Sequence, residues 1–162
     1  MRGWDPLLTV LKAEIDTDID PIIPFIGAKI KTNIKSGKVA IERRYGDLWV
    51  GGKKVIPHLS PCQKNGVCVK GDVLYKELVG RPVLSACILD FLLDHTDFIP
   101  ESWEGKGLGS SRYIWFWGTM YCDFADRLCV RCLYRGSVGW STTYLWAGLV
   151  WGDIGPAALL VG

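Results

Sequence analysis

The chain has 162 residues, 19 basic against 17 acidic side chains, and a formal charge of +2. With 49% apolar and 22% charged residues it excludes global disorder, and a charge so near zero excludes the strongly basic signature of a dedicated nucleic-acid domain. The charge is unevenly spread: residues 1–81 carry 14 basic and 9 acidic groups, residues 82–162 carry 5 and 8.

The opening Met1-Arg2-Gly3-Trp4-Asp5-Pro6 puts an acid and a proline where a signal peptide needs an apolar run. No stretch reaches the ~18 consecutive apolar residues of a membrane helix; between Arg135 and Asp153, Gly, Ser and Thr interrupt the nearest candidate. The expectation is a cytoplasmic chain with reduced thiols and no membrane partner.

Taken in order, residues 1–37 read as an N-terminal arm or extension and 38–162 as a single α+β domain. Asp5 and Pro6 suit the cap and first turn of a short helix over 5–13. Asp16-Thr17-Asp18-Ile19-Asp20 imitates a calcium loop, but Pro21 and Gly27 stand where that loop needs Gly and Glu. Residues 39–43, 47–50 and 53–56 are short β-like pieces, punctuated by Gly46, Gly51 and Gly52 as in small hairpins. Helices are predicted over 72–79, between Asp72 and Gly80, and over 85–95, where Leu84, Cys87, Ile88, Phe91 and Leu92 recur at helical spacing. From Tyr113 the period changes to two: strands are predicted over 113–121, 127–135 and 140–146, with a fourth starting at Val150. The fold expected is α+β: an antiparallel meander of three to four strands over 112–151, covered on one face by the two helices and preceded by hairpin pieces.

The six cysteines do not make a secreted disulfide framework, and Cys129 and Cys132, three apart in a predicted strand, point to opposite faces. His58, Cys62 and Cys68 are the other candidate ligands, but no second C-x-x-C completes a site, so no metal and no cofactor is expected. Lys29, Lys31, Lys35, Lys38, Arg43, Arg44, Lys53 and Lys54 crowd the 28–54 window against Glu42 and Asp47 alone. A solvated edge that discourages strand pairing explains them better than a phosphate-binding patch. Asp90, Asp94, Asp97, Glu101 and Glu104 with His95 offer acid–base groups, although His95 also suits the C-terminus of its helix.

Aromatics supply the remaining signal. Trp115 and Trp117 share one face of their strand, and Arg127, Arg131 and Arg135 share one side of the next, with Arg112 nearby. The leading expectation is a non-enzymatic module that binds a ligand or partner on an aromatic and arginine sheet face. Trp115, Trp117, Trp140, Arg127, Arg131 and Arg135 are its candidate residues, and single-stranded nucleic acid is the candidate ligand. Aromatic strands can equally be packing, in a sheet covered on both sides. The alternatives are a hydrolytic enzyme using the 90–104 carboxylates with His95, and a structural or self-associating protein using the apolar 140–151 region.

An ordered set of motifs runs through residues 44–160. It comprises His58-Leu59-Ser60-Pro61, Gln63-Lys64-Asn65-Gly66, Lys70-Gly71-Asp72, Lys76-Glu77-Leu78, Gly80-Arg81-Pro82-Val83-Leu84, Ile88-Leu89-Asp90-Phe91-Leu92-Leu93, Ile99-Pro100-Glu101-Ser102-Trp103 and Phe116-Trp117-Gly118-Thr119. In these the chain resembles an uncharacterised family of small proteins from uncultured candidate-phyla bacteria. The resemblance brings no activity and no catalytic residues. Its pattern has asparagines where Ser85 and Cys87 stand, and a more polar aromatic tail than 142–151. A ligand read by such a tail would be bound poorly here.

Overall fold

The computed structural model describes residues 10–64, 69–78, 80–104, 113–152 and 155–162. The strands in chain order are β1 (Leu11–Asp16), β2 (Lys29–Asn33), β3 (Lys38–Arg44), β4 (Asp47–Val50), β5 (Lys53–His58) and β6 (Val69–Lys70). Helices α1 (Gly71–Leu78) and α2 (Ala86–Asp94) follow. Then come β7 (Tyr113–Trp115), β8 (Thr119–Cys122), β9 (Leu128–Gly136), β10 (Gly139–Trp146), β11 (Val150–Trp151) and β12 (Ala157–Val161). The helix predicted over 5–13 lies partly outside the described residues, and its described part, from Leu11, is strand.

Ten strands form one mixed sheet in the order β1-β3-β4-β5-β12-β7-β9-β8-β2, with β10 pairing β9. The expected three- to four-stranded meander under two helices is therefore corrected. Sequence neighbours do pair antiparallel in β3–β4–β5 and β8–β9–β10. Other pairings are long-range: β12 inserts between β5 and β7, antiparallel to the first and parallel to the second. Local periodicity carries no record of such pairings, and the short apolar run Ala157–Val161 gives no period of its own. Leu11–Asp16 and Lys29–Asn33, from the expected arm, are part of the same sheet, since β1 pairs β3 and β2 pairs β8.

The hairpins follow from local chemistry. Tyr45 and Gly46 take φ of 55° and 79°, and Gly51 and Gly52 take 59° and 80°. Two successive left-handed residues make the tight turn whose twist matches its flanking strands. The strand predicted over 113–121 breaks at 116–118 into β7 and β8, which lie one after the other along β9.

The helices lie on opposite faces of the sheet, the second correction to the expected architecture. Ile88, Leu89 and Leu92 of α2 pack with Ile41, Leu48, Val55, Ile114, Leu133 and Ala158. Leu74 and Leu78 of α1, one turn apart, pack with Trp115, Val130, Cys132, Ala157 and Leu159. Successive residues of β7, β9 and β12 thus enter different cores, as alternation requires. Strands covered on both faces must be apolar throughout, so their continuous apolar composition signals burial, not an exposed strip.

Candidate functional site

The arginine row is split by burial. Arg131 is 3% exposed. It lies 2.8 Å from the Asp90 carboxylate of α2. Arg127 and Arg135, at the two ends of β9, remain exposed. Each guanidinium lies over a tryptophan of β10: Arg127 is 4.4 Å from the Trp146 ring centre and Arg135 is 5.8 Å from that of Trp140. The hairpin register explains this, because Trp140 sits opposite Arg135 and Trp146 opposite Cys129, two residues from Arg127. Arg112 lies outside the described residues.

Trp115 and Trp117 present no aromatic strip. They are 5% and 3% exposed and enclosed with Trp151 under α1, with ring centres 4.5 and 5.0 Å from that of Trp151. Their expected exposure is corrected because α1 and β11 cover that face. Trp140 is half-buried against the α2 core.

The acidic groups of 90–104 do not converge. Asp90 and Asp94 border a shallow cavity of about 250 Å³ with Asp16, Asp20 and Cys87. Asp97 and Glu101 are exposed on the turns beyond α2. The His95 ring stacks on Phe91, centre to centre 4.6 Å. In the 28–54 window, Arg43 is buried and donates to the Asp97 carbonyl at 2.6 Å, Arg44 covers Trp49, and Lys54 pairs with Asp47. The exposed Lys29 and Lys31 lie on β2, whose only partner strand among the described residues is β8.

Cys129 and Cys132 occupy different cores, on opposite faces of β9. Burial pushes their thiols up, to about 11 and about 12. Cys68 lies outside the described residues. Among the described residues no three His, Cys, Asp or Glu side chains stand close enough to hold a metal. Around His58 the polar groups serve the chain path. The buried Ser60 caps a short 3-10 turn at Pro61–Gln63 and donates to the Glu77 carboxylate. Gln63, also buried, donates to the carbonyls of Gly152 and Gly155 at 3.1 and 2.9 Å. Burial first, then the Arg81 charge, holds the His58 imidazole below its usual value.

A concave site that the sequence did not reveal is the largest of the cavities described. Between α1 and the ends of β9 and β10 lies a cavity of about 570 Å³, bordered by Tyr75, Met120, Leu128, Trp146, Ala147 and Leu149. Lys76, Arg127 and Asp72 stand at its edge. Its volume is within the range of small-molecule sites and more than twice that of the cavity of about 240 Å³ beside Ser85. The Asp123 carboxylate positions Arg127. It accepts from the backbone N–H of Ala125 and of Arg127, both at 2.9 Å, and from Arg127 Nε at 2.8 Å. Burial opposes ionisation of Asp123, but these donors outweigh it and hold the group below its ordinary value. Arg127 was legible as a candidate; Trp146 was legible only through the register that sets it beside Arg127.

No family model, no curated protein and no solved structure matches the chain. Among the described residues no helix is long and apolar enough to cross a membrane.

Proposed function

We propose that the protein is a non-enzymatic binding module whose ligand is a flat, largely apolar molecule carrying one anionic group. One observation carries this reading: the Arg127 guanidinium, stacked on Trp146 and fixed by Asp123, stands at the edge of an apolar cavity. Apolar walls supply affinity by excluding water, and a few placed charges supply orientation. Arg127 keeps donors beyond the one given to Asp123, and a guanidinium matches carboxylate, sulfonate or phosphate geometry. Lys76 adds a second positive charge against Asp72.

A single-stranded nucleic acid suits this surface less well. The expected row of three arginines reduces to two exposed ones at opposite ends of β9. A phosphate chain needs a continuous positive track with exposed rings between.

Anilinonaphthalene sulfonate, which joins apolar rings to one anion, is the probe. It is expected to bind one equivalent with a change in tryptophan emission. Arg127→Ala should weaken it about 10-fold, in the range of a lost charged hydrogen bond, and Trp146→Leu should weaken it comparably. Unchanged affinity in both folded variants overturns the reading. So does oligo-dT that binds with a steep salt dependence and displaces the dye, which would restore a nucleic-acid ligand.

A further inference from the structure

Among the described residues, three strands of the large sheet pair on one side only: β1, β2 and β10. Their free edges differ in chemistry. β1 carries Lys12, Glu14 and Asp16, and β2 carries Lys29 and Lys31. Such charges keep an edge from accepting a foreign strand. β10, Gly-Trp-Ser-Thr-Thr-Tyr-Leu-Trp over Gly139–Trp146, contains no charge and no proline. It is eight residues long, and all eight pair with β9. Among the described residues its far side pairs with no other strand. Among the described residues it is the one free edge of the sheet that carries no charge, with Ile22, Ile23 and Pro24 bordering a cavity beside Thr142, Thr143 and Tyr144.

We infer that β10 is the interface of a homodimer, in which two copies pair antiparallel through this strand about a twofold axis. An isologous contact of this kind needs a surface compatible with itself. An uncharged strand meets that condition, because no charge faces its own like. Directly opposed residues of an antiparallel pair share a face, so the register must match even positions with even and odd with odd. The register centred on Thr143 does so. It sets Thr143 against Thr143, Trp140 against Trp146, and Thr142 against Tyr144 of the second copy. It matches β10 over Trp140–Trp146 and forms aromatic and threonine cross-strand pairs of the kind that stabilise sheets. Association then stops at two copies, since the other free edges, β1 and β2, are charged. The contact shares Trp146 with the ligand cavity and otherwise lies outside it.

The exposed Thr143 gives the test. Sedimentation of the full chain should show a concentration-dependent dimer. Thr143→Lys places two like charges side by side on the axis and should raise the dissociation midpoint at least about 100-fold, while circular dichroism stays that of the parent. Thr143→Ser should leave it unchanged. Thr143→Cys should give a covalent dimer on mild oxidation that neither the parent nor Ser141→Cys forms, because position 141 faces position 145. A monomer at every concentration overturns the inference. A dimer that survives Thr143→Lys and yields no Thr143→Cys cross-link overturns it equally.

Discussion

Gly118 and Leu84 touch backbone to backbone. A Cβ on Gly118 would stand 2.5 Å from the Leu84 carbonyl carbon and oxygen. The contact is a joint: the Gly118 N–H donates to Leu84 O at 2.8 Å, and Gly118 O accepts from the N–H of Ile34, also at 2.8 Å. Thr119 beside it donates to the Asn33 side chain and accepts from the N–H of Ala86. One short turn thereby ties β2, the start of α2 and the β7–β8 break together.

Gly118→Ala should therefore destabilise the fold by about 1–3 kcal/mol, the usual cost of overpacking where neighbours are backbone. Gly71→Ala should act alike, because its Cβ would lie 1.7 Å from the Ala147 carbonyl oxygen. Gly148→Ala is the control: a Cβ there meets nothing within 4 Å. Urea midpoints that fall for the first two and hold for the third check this; equal midpoints for all three contradict it.

The Arg131–Asp90 pair should behave as a structural clamp. Asp90 also accepts from the Ile22 N–H at 2.8 Å, and the Ile22 carbonyl accepts from Arg131 at 3.0 Å and from the Tyr121 hydroxyl at 2.9 Å. Both polar groups of one backbone unit are held in this way, which fixes the 17–28 segment across α2 and β9. Arg131→Met strands a largely buried carboxylate and should cost about 3–5 kcal/mol. Adding Asp90→Leu should recover part of that loss. A double-mutant cycle with no coupling would sink the clamp.

Much of the local structure was legible, for identifiable reasons. Gly46, Gly51 and Gly52 marked the hairpins because only left-handed residues make those turns. Gly80 marked the end of α1, although Asp72 lies in its first turn rather than before it, and the Cys87, Ile88, Phe91 and Leu92 stripe revealed α2. The assembly of these pieces was not legible. Nothing in Ala157–Val161 says that it will lie beside β5, a hundred residues away, and nothing in Lys29–Asn33 points to β8. For the site, alternation placed the three arginines on one side of β9. It had no means of showing that α2 would bring Asp90 to the middle one. Among residues in the ordered motifs, Gly71 and Gly118 prove to be close backbone contacts and Ser60 and Gln63 buried hydrogen-bonding groups, which accounts for their types.

Asp123 should matter more as an anion than as a shape. Asp123→Asn retains an acceptor for the turn but loses the charge that holds Arg127 Nε. Its midpoint should fall below that of the parent at neutral pH. A depressed carboxyl contributes stability above its ordinary value of 3.8 that is lost as pH falls through its lower folded value. The gap between parent and variant should therefore narrow on acidification below about pH 4. A gap that is constant from pH 7 to 3 would show that the charge contributes nothing.

Alkali should loosen the protein through its buried acids. Burial, the largest cause in each case, raises Cys132 from 9.0 to about 12, Cys129 from 9.0 to about 11, and Tyr121 from 10.0 to about 12. All three are neutral when protonated, so the fold favours the proton-bound form and the unfolded chain releases it first. The stability they contribute is complete below pH 9 and drains away as pH climbs from 9 towards 12. Melting temperatures should be level from pH 7 to 8.5 and fall steadily above 9. Cys132→Val, which keeps an apolar group of similar size in the α1 core, should flatten that fall, whereas Cys62→Ser, at a partly exposed thiol, should not. Thiol titration with an aromatic disulfide at pH 8 supplies a second readout: Cys129 and Cys132 should stay unmodified until denaturant is added. Prompt modification of either in the native protein would mean that the two cores flanking β9 do not exclude water as described.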